Sequence, residues 1–120
     1  MFVATAALFD ANLSCFHAKY FYWFIRPPQA DPTIATVFPT PPHPSYPSAH
    51  SCGAGALTEV LAVSFPNEAD RLHAAALESS LSRLYAGIHY RFDMEAGLAI
   101  GRAAAALALA ANLDQIAPLP

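Results

Sequence analysis

Eight of the chain's eleven prolines fall between Pro27 and Pro47, and that concentration divides everything around it. Proline supplies no backbone donor, fixes its own φ and disfavours helix at the preceding residue, so this stretch is neither a long helix nor a sheet interior. Val37, Phe38, His43 and Tyr46 punctuate it, and it runs directly into Pro47-Ser48-Ala49-His50, which marks an ordered loop lining a site rather than a low-complexity linker. On its N-terminal side, residues 2–25 contain no proline or glycine and are rich in Ala, Leu, Phe and Tyr, as a long helix requires. Beyond the loop, a second helix is expected from Ser48 or Ala49 to about Ser64. Pro66 breaks the chain, and Asn67 followed by Glu68 and Asp70 offers a helix start with acidic residues in the first turn. A third helix follows from about Glu68 to Ala86, closed by Gly87 in the left-handed conformation. A fourth starts near His89 or Tyr90 and runs to about Leu113, with Pro118 beyond it. No alternating strand pattern interrupts this series.

The expectation is an all-α helical bundle forming one domain over residues 1–120, with a proline-rich loop at 26–47. Four helices of this length are marginal unless something covers their apolar faces. Two arrangements would supply the cover: this chain as the C-terminal part of a longer protein, or a homo-oligomer. Hydrophobic residues make up 55% and charged residues 12%, far from the composition of a disordered chain. The net charge of −3 excludes non-specific nucleic-acid binding, which needs a basic face. Two cysteines, Cys15 and Cys52, are too few for a disulfide framework and show no zinc spacing; packed free thiols are expected. The N-terminus lacks the basic start and cleavage site of a signal peptide, and no uncharged apolar run reaches the ~18 residues of a membrane span. The expectation is a soluble chain without a membrane span, cytoplasmic or of undetermined compartment.

Three blocks carry polar residues of chemical interest. In the first, Lys19 and Arg26 stand seven apart, which on a continuous helix leaves them about 20° from alignment on one face. Two solvated surface cations would show the same spacing. However, only aromatic and aliphatic residues lie between these two, and cations in an apolar surround have an anion to meet. In the second, Pro47 fixes the entry to a helix at Ser48. The Ser48 hydroxyl and the free amides of the first turn, including that of Ala49, suit an anion, and His50 stands beside them to exchange a proton. Taken alone, the block is better explained as an ordinary serine cap with an incidental histidine. In the third, Arg83 precedes His89 and Asp93, which are four apart and adjacent on a helix that includes both. The carboxylate would then hold one imidazole nitrogen and leave the other free. Gly97 and Gly101 continue the same row as a face for close helix packing. Three further histidines, His17, His43 and His73, are weaker candidates; His43 is either a solvated loop residue or one that tunes access to the site.

Read in order, the blocks are K-x6-R-P, P-S-x-H and S-R-x5-H-x3-D. Across residues 19–93 this set resembles the three-part signature of the superfamily joining type 2 phosphatidic acid phosphatases, bacterial acid phosphatases and vanadium-dependent haloperoxidases. One departure is Ala49, where the family usually has glycine; its methyl group puts the affinity of the oxyanion site in question. The resemblance implies the C-terminal, active-site half of a haloperoxidase-like fold. It implies that Lys19, Arg26, Ser48, the Ala49 amide and Arg83 hold vanadate or phosphate. His89 would be the ligand to vanadium or the nucleophile that becomes phosphohistidine, with Asp93 orienting it and His50 acting as acid and base. The runs His43–Ser51 and His89–Asp93 resemble the haloperoxidase branch, implying vanadate as cofactor with hydrogen peroxide and halide as substrates. A soluble phosphatase acting on phosphate esters is the alternative, and an incomplete family member without turnover is a third.

Overall fold

The computed structural model describes residues 2–112 and is all-helical over them. Helix α1 spans Phe2–Tyr22, α2 Pro27–Ala30, α3 Ala49–Ser64, α4 Ala69–Tyr85 and α5 Arg91–Ala111, with a 3-10 turn at Pro66–Glu68. The fold class and the four long helices match the sequence expectation; α2 is an additional single turn inside the proline-rich loop, started by Pro27 and Pro28. The expected end of the last helix near Leu113, and Pro118, lie outside the described residues. Gly87 takes φ +75°, as the cap after α4 requires, and a Cβ there would press on the Ala35 carbonyl oxygen at 3.3 Å.

Three helices pack through rows of small residues spaced by four. Val3, Ala7, Ala11 and Cys15 form the buried row of α1, which ends on Lys19. Cys52, Ala56 and Val60 form that of α3, preceded by Ser48. Gly97, Gly101 and Ala105 form that of α5, preceded by Asp93. Each row therefore carries a polar residue at one end, because the stripe that faces the neighbouring helices continues through it. Lys19 is at the C-terminal end of its helix, while Ser48 and Asp93 are at N-terminal ends. The three meet at one end of the bundle.

Close approach of α3 and α5 depends on the absence of side chains. A Cβ on Gly97 would lie 2.6 Å from the Ser48 carbonyl oxygen, and one on Gly101 would lie 2.6 Å from the Ala56 amide nitrogen. From the other side, a Cβ on Gly55 would lie 3.0 Å from the Leu98 carbonyl oxygen. The small-residue face read from Gly97 and Gly101 is thus a helix-packing surface. Cys15 and Cys52 are free and buried in the same seam, as expected.

One expectation is corrected here. The apolar residues between Lys19 and Arg26 are exposed, Trp23 to 66%, because α1 ends at Tyr22 and the turn after it directs the cations inward and the rings outward. Helix α5, which carries Glu95 and Arg102 and so is not an uncharged run, is long and apolar enough by length and composition to cross a membrane. Within the bundle its buried stripe faces α3 and α1.

Candidate functional site

Lys19 and Arg26 are brought together by a chain reversal, and the shared helix face inferred from their spacing does not exist. Helix α1 stops after one more turn beyond Lys19, and Trp23 takes φ +50°, a conformation costly for a bulky residue. Its amide still donates to the Lys19 carbonyl oxygen at 2.9 Å. The chain then runs extended to Arg26, whose amide donates to the Gln29 side chain at 2.8 Å. Both cations are buried, Lys19 completely and Arg26 to within 1%.

Carbonyl oxygens of the proline-rich loop receive these cations. Lys19 Nζ donates to the carbonyls of Pro44 (2.8 Å) and Ser45 (2.9 Å). Arg26 Nε donates to the His43 carbonyl at 3.0 Å, and its Nη1 to that of Ile88 at 2.8 Å. The expectation that the loop is ordered and lines the site is met by these bonds. Among the described residues, neither cation has a carboxylate within ion-pair distance, and Arg83 has none either. Three cations without counter-ions around one place leave charge for an anion to neutralise. Burial pushes the Lys19 ammonium down to about 8, helped by the nearby Arg26 and opposed by Cys15 and Asp93.

His89 precedes α5 rather than riding on it, so the i,i+4 helix-face argument for its pairing with Asp93 is also corrected. Asp93 sits in the first turn of α5, where its Oδ2 accepts the Tyr90 amide at 3.1 Å and so caps the helix. The same oxygen lies 2.8 Å from His89 Nδ1. On the other side of the ring, Arg26 Nη1 lies 3.2 Å from Nε2. A guanidinium can only donate, so Nε2 is the acceptor and Nδ1 carries the proton given to Asp93. Burial lowers the His89 pKa below the ordinary histidine value, the hydrogen bond to Asp93 pulling the other way. At neutral pH the ring is therefore uncharged, with an Nε2 lone pair beside a buried cation.

Ser48 caps α3, its hydroxyl oxygen accepting the Ser51 amide at 3.4 Å, while its own amide donates to the Asp93 carbonyl oxygen at 2.9 Å. The hydroxyl proton remains available to a ligand. The methyl of Ala49 packs against the core formed by α1, α3 and α5, so the departure from glycine spends its volume there.

Arg83 and His50 form a second pair at the mouth of this group. Arg83 Nη1 lies 3.4 Å from His50 Nε2, and its guanidinium carbon lies 5.4 Å from the centre of the Phe38 ring. Burial and then Arg83 lower the His50 pKa. Thus Lys19, Arg26, Ser48, His89 and Asp93 share one polar network, directly or through the loop carbonyls. Arg83 joins it only through His50, two residues from Ser48, and through its own main chain, which accepts the Ile88 amide at 3.4 Å.

Two residues gain a place here. His43 is part-buried, with Nδ1 3.2 Å from Arg26 Nη2 and its ring 5.3 Å from that of Phe16, so the solvated-loop reading is replaced by a contact with the site. Ser45 is completely buried and bonded to Asp93, a role for which the sequence carries only the signal of position, two residues before Pro47. His73 lies 3.5 Å from Glu59, and neither it nor His17 bonds to the site.

The protonation of Lys19 has a measurable consequence. Its folded-state value is below the ordinary lysine value, so at rising pH the empty site loses this charge first, while a bound anion holds the proton on. Oxyanion affinity measured by calorimetry should fall above pH about 8, approaching ~tenfold per pH unit for one linked proton. The ligand's own ionisation is removed by comparison with Lys19→Arg, whose charge persists; identical slopes in the two proteins would refute the assignment.

The PAP2 superfamily model matches residues 1–116. The structure is similar to that of a bacterial vanadium-dependent iodoperoxidase, with a TM-score of 0.79 and 32% identity over 90% of this chain and 31% of that one. It is also similar to a transmembrane PAP2-type phosphatidylglycerolphosphate phosphatase from Bacillus subtilis, with a TM-score of 0.78 and 19% identity over 95% of this chain and 59% of that one. The chain thus spans about a third of the first protein and less than two thirds of the second. No curated protein sequence matches it.

Proposed function

The chain belongs to the PAP2 superfamily, and from that premise we propose that its site binds vanadate and supports oxidation of halide by hydrogen peroxide. The observation that carries this reading is the His89 imidazole, whose Nε2 is kept unprotonated by the Asp93 bond on the opposite nitrogen and accepts from a buried Arg26 that has no carboxylate partner among the described residues. An unprotonated imidazole nitrogen beside a cation would suit a ligand to the metal of a bound oxyanion, which would take over the place of the Arg26 bond. The 32% identity to the iodoperoxidase favours this branch and makes iodide the first halide to test.

The donor set fits vanadate. Lys19 has a third N–H beyond the two given to carbonyls, Ser48 has its hydroxyl proton, and Arg26 and Arg83 have charge without a carboxylate. In this reading those four groups and the Ala49 amide would hold the oxygens of vanadate, and His89 Nε2 would be the ligand to the metal. When bound, vanadate supplies the activation of peroxide towards halide. Asp93 keeps the His89 proton on Nδ1, and burial keeps the ring neutral. His50 is placed beside Arg83, with a pKa below the ordinary value, to take a proton from an incoming peroxide and return it.

A second reading rests on the same Nε2. It could attack the phosphorus of a phosphate ester, the alcohol leaving with a proton from His50, and water could then release phosphate from the histidine. Activity in either reading requires that the residues present enclose the site sufficiently; an incomplete family member would bind without turnover.

The test is an assay of the purified chain with and without orthovanadate. Iodide oxidation by peroxide only when vanadate is added is the expected result. Phosphate-ester hydrolysis inhibited by vanadate would transfer the assignment to the phosphatase reading. Neither activity, with calorimetry showing no vanadate binding, would remove both.

A further inference from the structure

We propose that Ser45 is a positioning residue for His89, acting through Asp93. The buried Ser45 hydroxyl donates to Asp93 Oδ2 at 2.5 Å, the oxygen that also receives His89 Nδ1–H (2.8 Å) and the Tyr90 amide (3.1 Å). Ser45 Oγ itself stands 3.5 Å from His89 Nδ1, so hydroxyl, imidazole and carboxylate oxygen form a closed triangle.

Asp93 directs all of these bonds to one oxygen, while Oδ1 is buried with no hydrogen-bond partner among the described residues. A buried oxygen without a donor costs free energy, so rotation of the carboxylate to share its donors would be favourable if nothing opposed it. The Tyr90 amide is fixed by the helix start and permits some rotation. The Ser45 hydroxyl, approaching beside the imidazole, holds Oδ2 against His89.

The main chain of Ser45 makes this brace rigid. Its amide donates to the Phe24 carbonyl at 2.8 Å and its carbonyl accepts Lys19 Nζ at 2.9 Å. One residue of the proline-rich loop therefore ties the end of α1, the cation Lys19 and the His89–Asp93 pair together. Partners one step removed from a ligating or nucleophilic histidine set its tautomer and orientation, and their loss costs about 10- to 100-fold in ligand affinity.

The inference rests on His89 being the reactive imidazole of the proposed site, so its test reads the ring directly as well as the ligand. In the parent protein at neutral pH, the His89 Nδ1 proton should give a downfield resonance in slow exchange with water. In Ser45→Ala that resonance should be lost through faster exchange and vanadate affinity should fall about tenfold, with both recovered in Ser45→Thr. Should Ser45→Ala fail to fold, Ser45→Cys keeps the volume with a weak donor and gives the same reading. An unchanged resonance in the folded variant would overturn the proposal. If the resonance behaves as expected but the parent binds no vanadate, the oxyanion reading falls and the positioning role stands.

Discussion

His89→Ala should abolish vanadate retention and lower any oxyanion-dependent turnover by at least about a thousandfold, at a stability cost of about 2 kcal/mol from the lost buried ring and its two bonds. The His89 Nε2 is an unprotonated nitrogen beside Arg26, whereas Lys19 and Arg26 can only donate, so neither can substitute for it as a ligand or nucleophile. Loss of the ring also leaves the buried Asp93 carboxylate with two donors, Ser45 and Tyr90, which keeps the helix start capped. Vanadate binding followed by calorimetry, alongside circular dichroism to check the fold, separates the chemical effect from unfolding. Retained binding and turnover in a folded His89→Ala protein would remove the core of the functional assignment.

Gly101→Val should destabilise the bundle by about 3 kcal/mol or more, lowering the melting temperature by roughly 10 °C. Any Cβ at this position meets the Cys52 carbonyl oxygen and the Ala56 amide, which are helix backbone and cannot rotate away. The helices must then separate, and separation of α3 from α5 also draws Ser48 away from Asp93, whose backbone bond spans the two. Gly53→Ala is the control. Its new methyl meets side-chain ends alone, Leu8 at 3.1 Å and Asn12 at 3.8 Å, and gains helix propensity of about 1 kcal/mol. Equal melting temperatures for Gly101→Val and the parent would mean that the two helices do not pack as described.

The aromatic flanks of the three blocks illustrate how local signals combine. Phe24 contacts Tyr90 and Phe92, edge to face, at 5.7 and 5.4 Å, and Tyr46 reaches Phe92 at 5.9 Å. The rings come from all three blocks, Tyr90 and Phe92 both from the third, and together they pack over the start of α5, where Asp93 orients His89. The residue types were visible in the sequence, but their partners were not, since the contacts link positions up to 68 residues apart.

By itself the sequence determined the four long helices, their breaks at proline and glycine, and the identity of the polar residues, but not the end of α1 at Tyr22. Those properties are local: proline removes donors, glycine admits the turn at Gly87, and the spacing of K-x6-R-P, P-S-x-H and S-R-x5-H-x3-D is covalent. The sequence also carried, at every fourth position, the small-residue rows that end on Lys19, Ser48 and Asp93. Only the tertiary structure decided how the polar residues meet. Lys19 and Arg26 converge because the chain reverses after Tyr22, against the helical geometry that their spacing suggests. His89 meets Asp93 from outside the helix, and Ser45, silent in the sequence, meets both. The physical reason is that a buried donor or charge must find its partner wherever the packed chain supplies one, and that choice is made by the whole bundle.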